Sequence, residues 1–137
     1  MCGIYGIVTN KRSREEILDR LHQMGTLQKH RGPDDQQESI FSHPKRTVGF
    51  GLVRLSILDL ETGMQPIRCQ VDDTVIICNG QIYNYIELKE LLKAEPFSTR
   101  GDIEVALHLY RRYGIDFLNL LNGMYAGAIL DPMHNTG

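Results

Sequence analysis

Three cysteines in 137 residues, Cys2, Cys69 and Cys78, cannot pair into a disulfide framework, and the expected setting is a reducing, cytoplasmic one. No apolar run approaches the length of a membrane span. No basic leader precedes the short apolar run at the start, so a signal peptide is not expected. Charge of one sign is scarce too. A net charge of −2 gives no sign of the basic surface that nucleic acid or an acidic membrane would need. The five histidines, His22, His30, His43, His108 and His134, stand at no metal-ligand spacing such as His-x-x-x-His, and no metal site is expected. Repeats, low-complexity runs, linkers and ATP-binding motifs are missing as well. What is there reads as one soluble domain, 42% hydrophobic and 23% charged, long enough to build a single core.

The most informative stretch is the first, Met1-Cys2-Gly3-Ile4-Tyr5-Gly6-Ile7. Trimming of the initiator methionine would make Cys2 the chain terminus, with its thiol and a free α-amino group on one carbon. That pair is a self-contained nucleophile and base, the cysteine counterpart of a threonine with its own N-terminal amine. Gly3 and Gly6 leave room for backbone or substrate beside the thiol. The plainer reading makes Cys2 the second residue of a first strand and nothing more.

Ile4–Thr9, β-branched and aromatic, predicts a buried strand. Ser13 with Glu16 has the form of a capping box. Ile17, Leu18, Leu21, Met24 and Leu27 then follow helical spacing up to about Lys29. Pro33 and the two aspartates after it break the helix. Strands near Glu38–Phe41 and Val48–Arg54 are joined at Pro44, and Ser56–Leu60 continues in extended form before a turn at Glu61-Thr62-Gly63. Ile67–Val71 and Thr74–Cys78 read as a hairpin that Asn79-Gly80 ends. Asn84 is placed to cap a helix carrying Ile86, Leu88, Leu91 and Leu92, which Pro96 stops. Asp102 is placed to cap another through Val105, Ala106, Leu109 and Tyr110 to Gly114, with a helical turn over Asp116–Leu121. Met124–Leu130, apolar on both faces, predicts a strand buried between layers. Asp131-Pro132 turns the chain as though a returning strand should follow. Without one, an apolar edge would invite pairing with another chain, a homodimer partner included. Paired strands with helices between them give a layered α+β domain.

An N-terminal cysteine that hydrolyses an amide needs donors for the tetrahedral oxyanion and a clamp for the rest of the substrate. Asn79-Gly80 offers a side-chain N–H and a bare backbone N–H. Arg54 offers a fork for a carboxylate, and Asp102 a carboxylate for an ammonium. Each has a commoner structural meaning: a turn, a surface arginine, a helix cap. Cys69 and Cys78 lie in apolar strands and read as inert core thiols.

Taken together, the opening heptapeptide, His30-Arg31-Gly32-Pro33-Asp34-Asp35, Arg54-Leu55-Ser56-Ile57-Leu58-Asp59, Gln65-Pro66 and Asn79-Gly80-Gln81-Ile82-Tyr83-Asn84 resemble the class II glutamine amidotransferases. The likeness is to the glutaminase domain of glutamine-hydrolysing asparagine synthetases, in that family's order across nearly the whole chain. It implies an N-terminal-nucleophile fold, a four-layer α/β/β/α sandwich, incomplete here at its C-terminal end. It implies that Cys2 attacks the side-chain amide of L-glutamine to form a thioester and release ammonia. Asn79 and Gly80 match the oxyanion hole, Arg54 the ligand of the α-carboxylate, and Gln81 and Asp102 the surroundings of the α-ammonium. No cofactor is implied in this segment. ATP and magnesium belong to a synthetase domain, absent from these residues, that would receive the ammonia as a further domain or subunit.

The resemblance has departures. Gln81 stands where the family usually has Glu, Gly101 where a hydroxyl residue usually precedes the aspartate, and Val53 where a polar residue often precedes Arg54. Arg100 adds a positive charge close by. The family's domain also continues past Asp131, so residues 1–137 are expected to be a truncated glutaminase domain. Besides an enzyme, two other readings stand: a regulatory module that senses glutamine weakly, and an inert piece that docks on a synthetase.

Overall fold

A computed structural model of the chain describes residues 2–55 and 64–133. Met1 and the Ser56–Gly63 segment expected to run extended and then turn lie outside the described residues. The chain divides into two compact units, Met1–Ile57 and Leu58–Gly137.

In the first unit β1 (Gly3–Thr9), β2 (Asp35–His43) and β3 (Arg46–Arg54) form an antiparallel sheet in the order β1-β3-β2. Pro44 and Lys45 make the tight connection between β2 and β3, with His43 opposite Arg46. The helix α1 (Arg14–Gln28) crosses this sheet. Its start is the capping box expected from the sequence: the Glu16 N–H donates to Ser13 Oγ at 3.2 Å, and the Ser13 N–H donates to Glu16 Oε2 at 2.8 Å. That backbone hydrogen bond from Ser13 is the main reason the Glu16 carboxyl titrates below its ordinary value. Ile17 and Leu21 are fully buried and meet Tyr5 and Val53. Burying each such aliphatic side chain stabilises the unit by about 1.5–3 kcal/mol. Leu27 is 78% exposed, because the stripe that faces the sheet passes through Ile17, Leu21 and Gly25 instead. Nor is β1 buried throughout: its far end opens to solvent at Val8.

In the second unit β4 (Ile67–Arg68), β5 (Val75–Ile82) and β6 (Gly123–Leu130) form another antiparallel sheet, in the order β4-β5-β6. The helices α2 (Tyr85–Leu91) and α3 (Glu104–Tyr113) lie between β5 and β6 in sequence, followed by a short 3-10 helix over Gly114–Leu120. One face of β5, through Ile76, Cys78 and Ile82, joins Leu88, Val105 and Leu109 of the helices in a single core. Gly114, with φ of 59°, ends α3 as a positive-φ glycine should.

Three expectations change here. The predicted hairpin ending at Asn79-Gly80 is shorter on one side and longer on the other. The first strand is two residues, and the second runs through Asn79-Gly80 to Ile82, because β6 pairs with its whole length. Asn84 and Asp102 precede helices but cap neither by a side-chain hydrogen bond. Asn84 instead joins the approach to β6, accepting from the Asn122 N–H and donating to the Leu120 carbonyl, both at 3.0 Å. Finally, β6 is not buried: Met124 is 68% exposed, and the strand lies at the edge of its three-stranded sheet with β5 as neighbour on one side.

Candidate active site

In the first unit the sheet register gathers Cys2 and Arg54 at one end. Gly3 opposes Val53, so Cys2 falls beside the residues that follow β3. The Leu55 N–H donates to Cys2 Sγ at 3.3 Å, and Sγ lies 3.6 Å from the Leu55 carbonyl. Arg31 Nε donates to the Cys2 carbonyl at 3.2 Å, which ties the residue from its other side. Gly32, next along, lies flat against β3: a Cβ there would strike the carbonyl of Val53 and the nitrogen of Arg54. The Asp34 N–H then donates to the Arg54 carbonyl at 3.0 Å. Thus His30-Arg31-Gly32-Pro33-Asp34 is the clasp that holds the end of β3 against Cys2. Cys2 itself is half-buried and Arg54 is buried.

The second unit carries Asn79, Gly80, Gln81 and Asp102 along or beside β5. In an antiparallel ladder successive residues turn their N–H and C=O groups to opposite edges. Even-numbered residues of β5 face the β4 side: the Cys69 N–H donates to the Thr74 carbonyl at 2.8 Å, and Ile67 opposes Ile76. Odd-numbered ones face β6, and the Tyr83 N–H accordingly reaches the Asn122 carbonyl at 2.7 Å. Beyond Ile67 the strand β4 has ended, yet two even positions remain satisfied. The Cys78 N–H donates to Gln65 Oε1 at 2.6 Å, and the Ile82 N–H donates to Asp102 Oδ2 at 2.7 Å. Gly80 lies between them. Its N–H turns to the same edge, and among the described residues it makes no hydrogen bond outside the β5–β6 ladder.

Gly80 cannot be another residue. Its φ is 150°, and a Cβ would run into the Met124 carbonyl and the Tyr125 Cα of β6. It is exposed, Asn79 is half-buried and Gln81 is exposed. By the strand alternation the side chains of Asn79 and Gln81 leave on the face opposite Cys78 and Ile82. Asp102 is buried, and its carboxylate sits close enough to Cys78 to act on that thiol. Burial first, and the Asp102 charge second, push the Cys78 thiol up to about 12.

The loop before Asp102 is held from α3. Glu104, buried, accepts from the Ser98 N–H at 2.8 Å, Ser98 Oγ at 2.9 Å and the Thr99 N–H at 2.6 Å. His108, one turn on and equally buried, places Nε2 3.4 Å from Glu104 Oε1. Burial alone would raise the Glu104 carboxyl; the adjacent His108 ring and the hydrogen bonds of Ser98 and Thr99 outweigh it and hold the group at about 2. Sequence reasoning gave no role to Glu104, Arg31 or Leu55. Arg31 and Leu55 stood inside quoted motifs, while Glu104 carried no signal beyond being an acid in the first turn of a helix.

No group of three or more His, Cys, Asp and Glu side chains among the described residues is arranged to hold a metal ion. Nor, among them, is any helix long and apolar enough to cross a membrane.

Comparison with known proteins agrees on one family. The family model of the glutamine amidotransferase domain matches residues 1–136. A putative glutamine-hydrolyzing asparagine synthetase of Methanocaldococcus jannaschii is 41% identical over 146 residues, covering 96% of this chain and 28% of that protein. A glutamine-hydrolyzing asparagine synthetase of Bacillus subtilis is 43% identical over 137 residues, covering 98% of this chain and 18% of that protein. The chain therefore spans less than a third of the length of these curated relatives. Among solved structures, the glutamine phosphoribosylpyrophosphate amidotransferase of B. subtilis superposes with a TM-score of 0.67 at 21% identity, over 94% of this chain and 35% of that one. That likeness shows the fold, an α+β one shared with this amidotransferase. The chain belongs to the class II glutamine amidotransferase domain family and corresponds to the N-terminal part of asparagine synthetases.

Proposed function

We propose that this domain hydrolyses the side-chain amide of L-glutamine through a Cys2 thioester, for an acceptor reaction of the asparagine-synthetase kind. The observation that carries the reading is the N–H of Gly80, which among the described residues takes no partner on an edge where the N–H groups two residues before and two residues after are both taken. A bare, fixed backbone donor at a glycine with no side chain in the way is what a tetrahedral oxyanion needs. The Asn79 side chain is the second donor. Arg54 binds the α-carboxylate of glutamine as a fork, and Asp102 takes the α-ammonium.

With Met1 removed, the Cys2 α-amine accepts the thiol proton as Sγ attacks the amide carbon. Collapse of the oxyanion expels ammonia, which takes that proton from the amine. Water then adds to the thioester, glutamate leaves, and the thiol is restored. Gln81, neutral and exposed, favours weaker capture of the ammonium than an acid would give, which keeps a glutamine-sensing module as the competing reading. Glutamate release by the 137-residue chain, with and without Cys2→Ala, separates the two. Turnover that disappears in the variant supports the enzyme, and saturable glutamine binding without turnover supports the sensor.

A further inference from the structure

We propose that Gln65 is a positioning residue for the oxyanion-stabilising segment, a side chain that continues the pairing where β4 has ended. The inference rests on the glutaminase reading for its catalytic consequence. Its structural content stands by itself.

The register that pairs Ile67 with Ile76 and Arg68 with Val75 would next bring residue 66 opposite Ile77 and residue 65 opposite Cys78. The pair of residue 66 with Ile77 is a non-hydrogen-bonding one, whose main-chain groups turn outward, and β4 stops at Ile67. At the next hydrogen-bonding position the Gln65 side chain does what a strand's peptide groups would do. Nε2 donates to the Cys78 carbonyl at 2.9 Å, and Oε1 accepts the Cys78 N–H at 2.6 Å. Gln65 is itself 7% exposed, so both bonds are shielded from water. A glutamine amide carries one acceptor and one donor group side by side, the pattern a main-chain residue presents across an antiparallel pair.

The place of this pairing gives it a consequence. Cys78 is the last residue before Asn79-Gly80, and Ile82, two residues beyond, is pinned by Asp102. The Gly80 N–H, without a partner on this edge among the described residues, is therefore clamped from both sides. Without the Gln65 amide, the N–H and C=O of Cys78 would be left bare and the strand free to shift just before the donor. A main-chain strand in its place would extend alongside Gly80 and cover the N–H that must stay open. The side chain satisfies one position and stops.

The test uses the ¹⁵N-labelled 137-residue chain and Gln65→Met, which keeps length and apolar volume but neither hydrogen bond. The Cys78 amide should lose hydrogen-exchange protection by about tenfold or more and the Gly80 amide resonance should move, since a lost buried hydrogen bond is on the order of a tenfold effect. In glutamine hydrolysis, kcat should fall about ten- to a hundredfold, short of the full loss of an oxyanion donor, with KM within about threefold. Gln65→Glu, which keeps an acceptor for the Cys78 N–H, should recover part of both, and it serves in place of Gln65→Met should that variant not fold. Unchanged Cys78 protection and an unmoved Gly80 resonance overturn the proposal, as does undiminished kcat. A wild-type chain that never turns glutamine over refutes the glutaminase reading instead, and the two amide signals still decide whether Gln65 positions the segment.

Discussion

The Asp102 carboxylate reaches back twenty residues to take the Ile82 N–H at 2.7 Å, and so its place beside β5 is set by the strand itself. One oxygen is occupied in this way, and among the described residues the other receives no hydrogen bond. Charge and hydrogen bond can therefore be separated by mutation. Asp102→Asn retains an acceptor for Ile82 but removes the charge offered to a substrate ammonium. A charged hydrogen bond is worth about 1.5–3 kcal/mol, so KM for glutamine should rise by about tenfold or more with little change in melting temperature. Asp102→Ala leaves the buried Ile82 N–H unsatisfied as well and should cost about 1–3 kcal/mol of stability. Equal melting temperatures for Asn and Ala variants would remove the hydrogen bond from the account, and an unchanged KM in Asp102→Asn would remove the ammonium.

Gln81 tests the same subsite from the other side. It lies exposed on β5, on the side-chain face it shares with Asn79. Gln81→Glu adds an acid where the family usually has one, and KM for glutamine should fall about tenfold, again the scale of one charged hydrogen bond. Steady-state kinetics decide it. A higher KM in Gln81→Glu would mean that the exposed position does not face the ammonium.

The local signals of the sequence were readable and the long-range ones were not. Ser13 and Glu16 are three residues apart and complete a capping box within one turn, and Gly114 ends its helix by its own backbone freedom. Asn84 and Asp102 carry the same local cap signature, yet both side chains are spent on partners distant in sequence, Asn122 and Ile82. Tertiary contacts outbid propensity at such positions. Residues Met124–Leu130, apolar on both faces, matched a buried strand as well as an exposed edge, since periodicity reports apolar content and not what covers it. Of the candidate site, the residue types were legible from the motifs. That the Gly80 N–H turns to the β4 edge and finds no partner there among the described residues was not, because it follows from which residue faces which edge once β6 has set the register.

The three thiols should separate cleanly in reactivity. Cys2 is half-buried beside Leu55, whereas Cys69 and Cys78 are buried. Cys78 is further restrained because burial and the Asp102 carboxylate raise its thiol to about 12, which leaves a thiolate fraction of roughly 10⁻⁴ at pH 8. A diazoketone analogue of glutamine, followed by peptide mass spectrometry, should modify Cys2 alone in the folded chain, once Met1 has been removed. Cys2→Ala should leave the folded protein unlabelled and without glutaminase activity. Comparable labelling of Cys69 or Cys78 before unfolding would assign the nucleophile elsewhere.

The strongest pH signature should come from Glu104, whose carboxylate ties Ser98 and Thr99 to α3. His108, with Glu95 and Arg111 behind it, completes its charged surroundings: His108 Nδ1 lies 3.5 Å from Glu95 Oε2, and Arg111 Nη1 lies 2.9 Å from the same oxygen. The folded carboxyl is held at about 2, against an ordinary value of 4.5. A depressed folded pKa stabilises the protein above the unfolded pKa, and that contribution is lost as pH falls through the folded one. The side chain is 2% exposed, so solvent screens the effect little, and the shift corresponds to on the order of 3 kcal/mol. Glu104→Gln should therefore be destabilising by about that much near pH 7, since an amide nitrogen would also be turned toward the Ser98 or Thr99 N–H. The difference from wild type should shrink as pH drops from about 4.5 toward about 2. Urea titrations of both proteins at pH 7, 4 and 2.5 measure it. A gap that stays constant across that range would mean that Glu104 acts through its shape and not through its charge.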